Sequence, residues 1–166
     1  VTIPEEPETA MRAIAILAAI AMVASLFLSW LSPTIAGPVG AVPWDMLKQM
    51  QWNGDTLKSF VDSAPPELWV LVSTFVFAAL FAVLAILGAA SRLLALLAGG
   101  GVLGLLAYAA LNLDKIVPGG MPVPSSGDLM ELLKVLPDFV GPGAFAWVGG
   151  ALVLFLSGLI GFGSRR

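Results

Sequence analysis

The sequence predicts an all-α membrane protein with four transmembrane helices, and three observations carry this. The 166-residue chain is 58% hydrophobic and 11% charged, with a mean hydropathy of +0.96. Domains folded in water average about 25% charged residues, and charge is costly in hydrocarbon. Apolar runs at about residues 10–30, 68–90, 93–113 and 143–162 hold no Asp, Glu, Lys or Arg except Arg12, near the start of the first. Each can cross a hydrocarbon core of about 30 Å as a helix. The second and third runs are separated only by Ser91-Arg92, a break so short that it predicts an antiparallel hairpin. The expected architecture is one four-span domain over 1–166. It forms two antiparallel hairpins, with short amphipathic helices in extracytoplasmic loops 32–66 and 114–142.

The first nine residues are acidic and proline-containing and read as an arm, with Thr9 a candidate cap for the first helix. The run at 10–30 is long for the core of a signal peptide, and the residues before it are acidic rather than basic. Ala36-Gly37 is a weak cleavage site, so a retained span is expected. In the loop 32–66, Pro33, Gly37, Pro38, Gly40 and Pro43 precede two short helical candidates. One covers 44–50. The other covers 56–64, after an Asn53-Gly54 break and a candidate cap at Asp55. Leu57, Phe60, Val61 and Ala64 share one face of the second, at the spacing of an amphipathic helix. Pro65-Pro66 then ends it and opens the second span.

The loop 114–142 begins with the irregular Pro118–Pro124 segment. Asp128, with Glu131 three residues on, starts a helix in a capping-box pattern. Leu129, Leu132, Leu133 and Leu136 line its apolar face. The order span, loop with amphipathic helix, span thus occurs twice. Residue identities between the halves are poor, so two independent loops explain the pattern more simply than an internal repeat of the kind some transporters carry.

Charge sets the expected sidedness. Arg12, Arg92, Arg165 and Arg166 sit at span ends on one side, with Glu5, Glu6 and Glu8, for a net +1. The long loops hold four lysines and eight acids, a net −4. The positive-inside rule counts basic residues close to span ends, which places both termini in the cytoplasm. The expected location is a bacterial inner membrane, because the Ala/Gly/Leu richness and compact loops look bacterial. Trp30, Trp44, Trp52, Trp69 and Trp147 all fall on the outer side, as headgroup anchors or as a surface for a partner or lipid.

Chemistry is sparse. The chain has no cysteine and no histidine, which removes thiolate catalysis, zinc fingers and the usual haem or copper ligands. Net charge −3 provides no basic field for nucleic acid. Gly99-Gly100-Gly101-Val102-Leu103-Gly104 matches the dinucleotide fingerprint in letters, but it lies inside an apolar span, without the strand and open helix start which that site needs. Gly100 and Gly104, with Gly150, Gly158 and Gly161 in the fourth span, read instead as helix-packing positions, within the bundle or against another subunit. Loop acids pair with lysines at helical spacing (Asp45/Lys48, Asp55/Lys58, Lys58/Asp62, Glu131/Lys134), which is ordinary chemistry of exposed helices. No catalytic residue, metal or cofactor is expected.

Four spans and a larger first outer loop carrying tryptophans resemble claudin-like and other tetraspan proteins in outline. The cysteine pair of the first outer loop in that group has no counterpart here, and no family is assigned. The expected function is a non-enzymatic accessory, assembly or scaffold subunit of a larger bacterial membrane complex. Its partners would be other integral membrane subunits, lipids and an extracytoplasmic domain. They would meet the glycine-rich spans and an outer surface of Trp30, Trp44, Trp52, Trp69, Trp147, Leu57, Phe60, Leu129, Leu132, Leu133 and Leu136. The alternative is a small oligomeric channel or transporter for a neutral or apolar solute. The absence of ionisable groups within the spans argues against a proton relay.

Overall fold

The computed structural model describes residues 7–32, 41–49, 53–112 and 140–161. Within them the secondary structure is helical: α1 Pro7–Ala24, α2 Pro43–Gln49, α3 Gly54–Ser63, α4 Pro66–Ile86, α5 Arg92–Leu111 and α6 Pro142–Ile160. Four helices, α1, α4, α5 and α6, are long and apolar enough to cross a membrane. The chain is thus compatible with an integral membrane protein.

Helix boundaries follow local chemistry. Proline stands at the first position of α4 and of α6, where its missing N–H removes no helical bond. Ser91 caps α5, its hydroxyl accepting from Leu94 N–H. The cap of α3 is Asn53, whose side-chain oxygen accepts from Thr56 N–H at 2.7 Å. That corrects the expectation for Asp55, which lies within the first turn. The expected cap at Thr9 also moves inside a helix, because α1 already begins at Pro7. Glycines with positive φ follow the ends of α4 (Gly88, 101°) and α6 (Gly161, 90°), where a side chain would be strained.

The first span is shorter than its apolar run. Helix α1 stops at Ala24 and a 3-10 turn, Ser25–Phe27, follows. Leu28 is extended, and its N–H bonds the Ser25 carbonyl. The Trp30 indole donates to the same carbonyl at 2.8 Å. The exposed acceptor at the helix end is therefore satisfied from beyond the end, and continuing the helix to Trp30 is unnecessary. The extended segment bonds onward: Trp30 N–H to Ala41 O, Gly141 N–H to Trp30 O and Gly143 N–H to Ser29 O. Leu31 and Val140 form an isolated antiparallel bridge.

The long helices close a ring in which α1 touches α4 and α6, and α5 touches α4 and α6. Contacts join the start of one helix to the end of its neighbour: Arg12 with Ala85, Arg92 with Gly158 and Leu159, Ser157 with Met11. Neighbours therefore run in opposite directions. Small residues fill the interior, among them Ala15, Ala19, Ala78, Ala98 and Ala151, around fully buried Met22, Phe81, Val102 and Leu154. Lipid tails are as apolar as leucine, so helices gain little from hydrophobicity when they associate; close van der Waals contact holds them together. Two glycines provide the closest approach. A Cβ on Gly99 would stand 2.5 Å from the Ala151 carbonyl oxygen, and one on Gly150 would stand 2.7 Å from that of Ala18.

Candidate functional site

One end of the bundle is bound by aromatic side chains. Trp147 lies with its ring centroid 5.1 Å from Trp30 and 6.2 Å from Phe75, and Trp30 is 6.1 Å from Phe75. The Trp147 indole donates to Thr74 Oγ1 at 3.4 Å, while the Thr74 hydroxyl donates to Leu71 O at 2.7 Å. Trp147 is only 6% exposed, so most of its surface is packed inside the bundle. Its length lets it cross from α6 to Thr74 and Phe75 on α4. Gly143 admits Trp30: a Cβ there would meet Trp30 Cδ1 at 2.5 Å.

Other predicted outer residues do lie on the surface. Trp44 and Trp69 are exposed, each in contact with one ring, Phe27 at 5.1 Å and Phe60 at 6.4 Å respectively. The apolar face of α3 is largely uncovered: Leu57 is 49% and Val61 48% exposed. Trp52, Leu129, Leu132, Leu133, Leu136, Arg165 and Arg166 lie outside the described residues.

At the opposite end, two arginines cap helix C-termini. Arg12 donates from Nε to Ala85 O at 3.0 Å and also from Nη2 to the same oxygen. Arg92 donates to Gly158 O at 3.2 Å and to Leu159 O at 2.9 Å. A cation beside the last carbonyls satisfies orphan acceptors and complements the helix dipole. The glycine after each helix end lies against the same arginine: a Cβ on Gly161 would meet Arg92 Cζ at 2.9 Å, and one on Gly88 would meet Arg12 Nη2 at 3.9 Å.

The predicted glycine positions divide between inside and outside. Gly150 and Gly158 face neighbours, Gly158 against Leu96. Gly100 is in ordinary contact with the Phe155 ring, while Gly104 is exposed, with nothing within 4 Å of its Cβ position. The close-packed glycine of α5 is therefore Gly99, one residue off the Gly100-x-x-x-Gly104 motif. Helical phase decides this: a step of one residue rotates a position by about 100° around the axis.

Among the described residues the acidic side chains do not converge. Asp45 pairs with Lys48 at 2.7 Å, and Asp55 and Asp62 lie exposed on α3. Among the described residues no group of three or more His, Cys, Asp or Glu could hold a metal ion, and no side-chain N or O atom is buried without a hydrogen-bond partner.

Beside the aromatic end, a cleft of about 630 Å3 opens between the start of α4 and the end of α5. Leu68, Leu71, Leu105 and Leu106 line it, with Trp147 also in its wall. Glu67 and Tyr108 are its polar members. Hydropathy alone could not single out this cleft. The acid and the phenol are 41 positions apart in the chain and line one cleft because α4 and α5 pack side by side. Comparison with protein-family models, curated proteins and solved structures produced no match.

Proposed function

We propose that this chain is a non-catalytic accessory or assembly subunit of a larger bacterial membrane complex. Its four spans would form two hairpins, with the arginine end and both termini in the cytoplasm and the loops that carry α2 and α3 outside. The carrying observation is how packing surface is distributed. Between 22% and 39% of each span window is buried within the chain, and the interior is filled by Met22, Phe81, Val102 and Leu154. The outward small residues Gly104 and Gly149, each with nothing within 4 Å of its Cβ position, provide flat places where another helix can approach. The uncovered Leu57 and Val61 on α3 supply an apolar face for lipid headgroups or an extracytoplasmic domain.

The test is purification from native membranes in a gentle detergent, with mass spectrometry of what accompanies the chain. A stoichiometric set of membrane proteins is expected. Gly104→Leu should release it while leaving the unfolding temperature of the isolated chain unchanged, because no neighbour among the described residues occupies that face. A chain that elutes alone would overturn the proposal. So would a homo-oligomer, which would direct attention to solute flux in reconstituted vesicles.

A further inference from the structure

The cleft between α4 and α5 has a polar lip that the packing of the bundle does not use. Its volume of about 630 Å3 falls within the roughly 300–1,000 Å3 of ligand pockets. The walls are leucine, suited to a flexible hydrocarbon chain. Glu67 lies in the first turn of α4, where the helix dipole favours a negative charge. Among the described residues the ion pair present is Lys48–Asp45, and no Lys or Arg pairs with Glu67. Tyr108, 45% exposed, lines the same cleft and offers a second oxygen. An apolar trough ending in a phenol and an acid that no described Lys or Arg pairs with is complementary to an amphiphile with a cationic, hydrogen-bond-donating head.

We propose that this cleft binds a membrane lipid with a primary-amine head group, its ammonium on the Glu67 carboxylate and an acyl chain against Leu68, Leu71, Leu105 and Leu106. A primary ammonium has three N–H donors and can bond the carboxylate and the Tyr108 oxygen together. A trimethylammonium head carries the charge without a donor. An anionic glycerol head meets repulsion from Glu67. The cleft does not depend on a partner chain, so failure of the subunit reading leaves this one standing, and the reverse.

The experiment is native mass spectrometry of the purified full chain, titrated with phosphatidylethanolamine, phosphatidylcholine and phosphatidylglycerol of matched acyl chains. Wild type should retain phosphatidylethanolamine about tenfold more tightly than the other two, the effect of one charge-assisted hydrogen bond. Glu67→Gln should abolish that preference at an unchanged unfolding temperature. Ala109→Trp, which fills the cleft from α5, should weaken retention of all three lipids. Equal retention of the three by wild type, or a preference that survives Glu67→Gln, would overturn the proposal. Retention of no lipid would do so too.

Discussion

At one end of the bundle Arg12 and Arg92 reach across to carbonyls at the ends of α4 and α6; at the other, Trp30, Phe75 and Trp147 interlock around Thr74. The arginine end uses one device twice. The first helix of each pair provides the cation, and the second ends in a glycine of positive φ beside it. The aromatic end has no such repetition. It draws rings from α4, α6 and the segment after α1, and its cleft opens where α5 ends. The difference teaches that the two-part plan of the chain holds where helices simply need terminating, and lapses where a particular surface is formed. The proposed lipid site lies at the end where the pattern is broken.

Substitutions can break this comparison in order of size. The largest effect belongs to the aromatic end. Trp147→Ala removes a 6% exposed side chain that joins α6 to α4, and should destabilise the bundle by about 3 kcal/mol, as deletions of large core side chains do. Unfolding in mixed micelles would measure it, and a loss below about 1 kcal/mol would mean that the ring cluster packs loosely.

Next is the arginine end. Arg92→Ala frees the Gly158 and Leu159 carbonyls at the end of α6 and should cost about 1 kcal/mol, since water near the membrane surface can replace part of the bonding. If the two caps are equivalent, Arg12→Ala should cost the same within error in the same assay. A clear inequality would show that the repeated device does not do equal work in the two halves. The smallest effect is Thr74→Val, which removes the 3.4 Å acceptor for Trp147 Nε1 while keeping side-chain shape. A loss of about 0.6 kcal/mol is expected, the average for hydrogen bonds between membrane helices. A loss as large as that of Trp147→Ala would place most of the aromatic end's stabilisation in this bond and little in ring packing.

Legibility from sequence varied with the physics of each feature. The spans were visible because hydropathy acts over whole segments, and their limits at Pro66, Ser91 and Pro142 because proline and capping residues act locally. Asn53 rather than Asp55 caps α3 because capping depends on which oxygen reaches the N–H of Thr56, and both residues are good caps. Trp147 seemed to belong to an outer belt because a tryptophan near a span end usually does. Only the packed bundle brought Trp30, Phe75 and Thr74 around it.

By itself the sequence determined that this chain has four apolar helices, where they begin, and that arginines gather at one set of ends. These properties come from residue type and order. The tertiary structure decided which side of each span faces inward, that Gly99 rather than Gly104 meets α6, that α1 stops at Ala24, and that Glu67 and Tyr108 line one cleft. The physical reason is that α4, α5 and α6 are apolar all the way round, leaving no polar face to mark the outside. In such helices shape alone selects the contact, and shape exists only once the neighbours are in place.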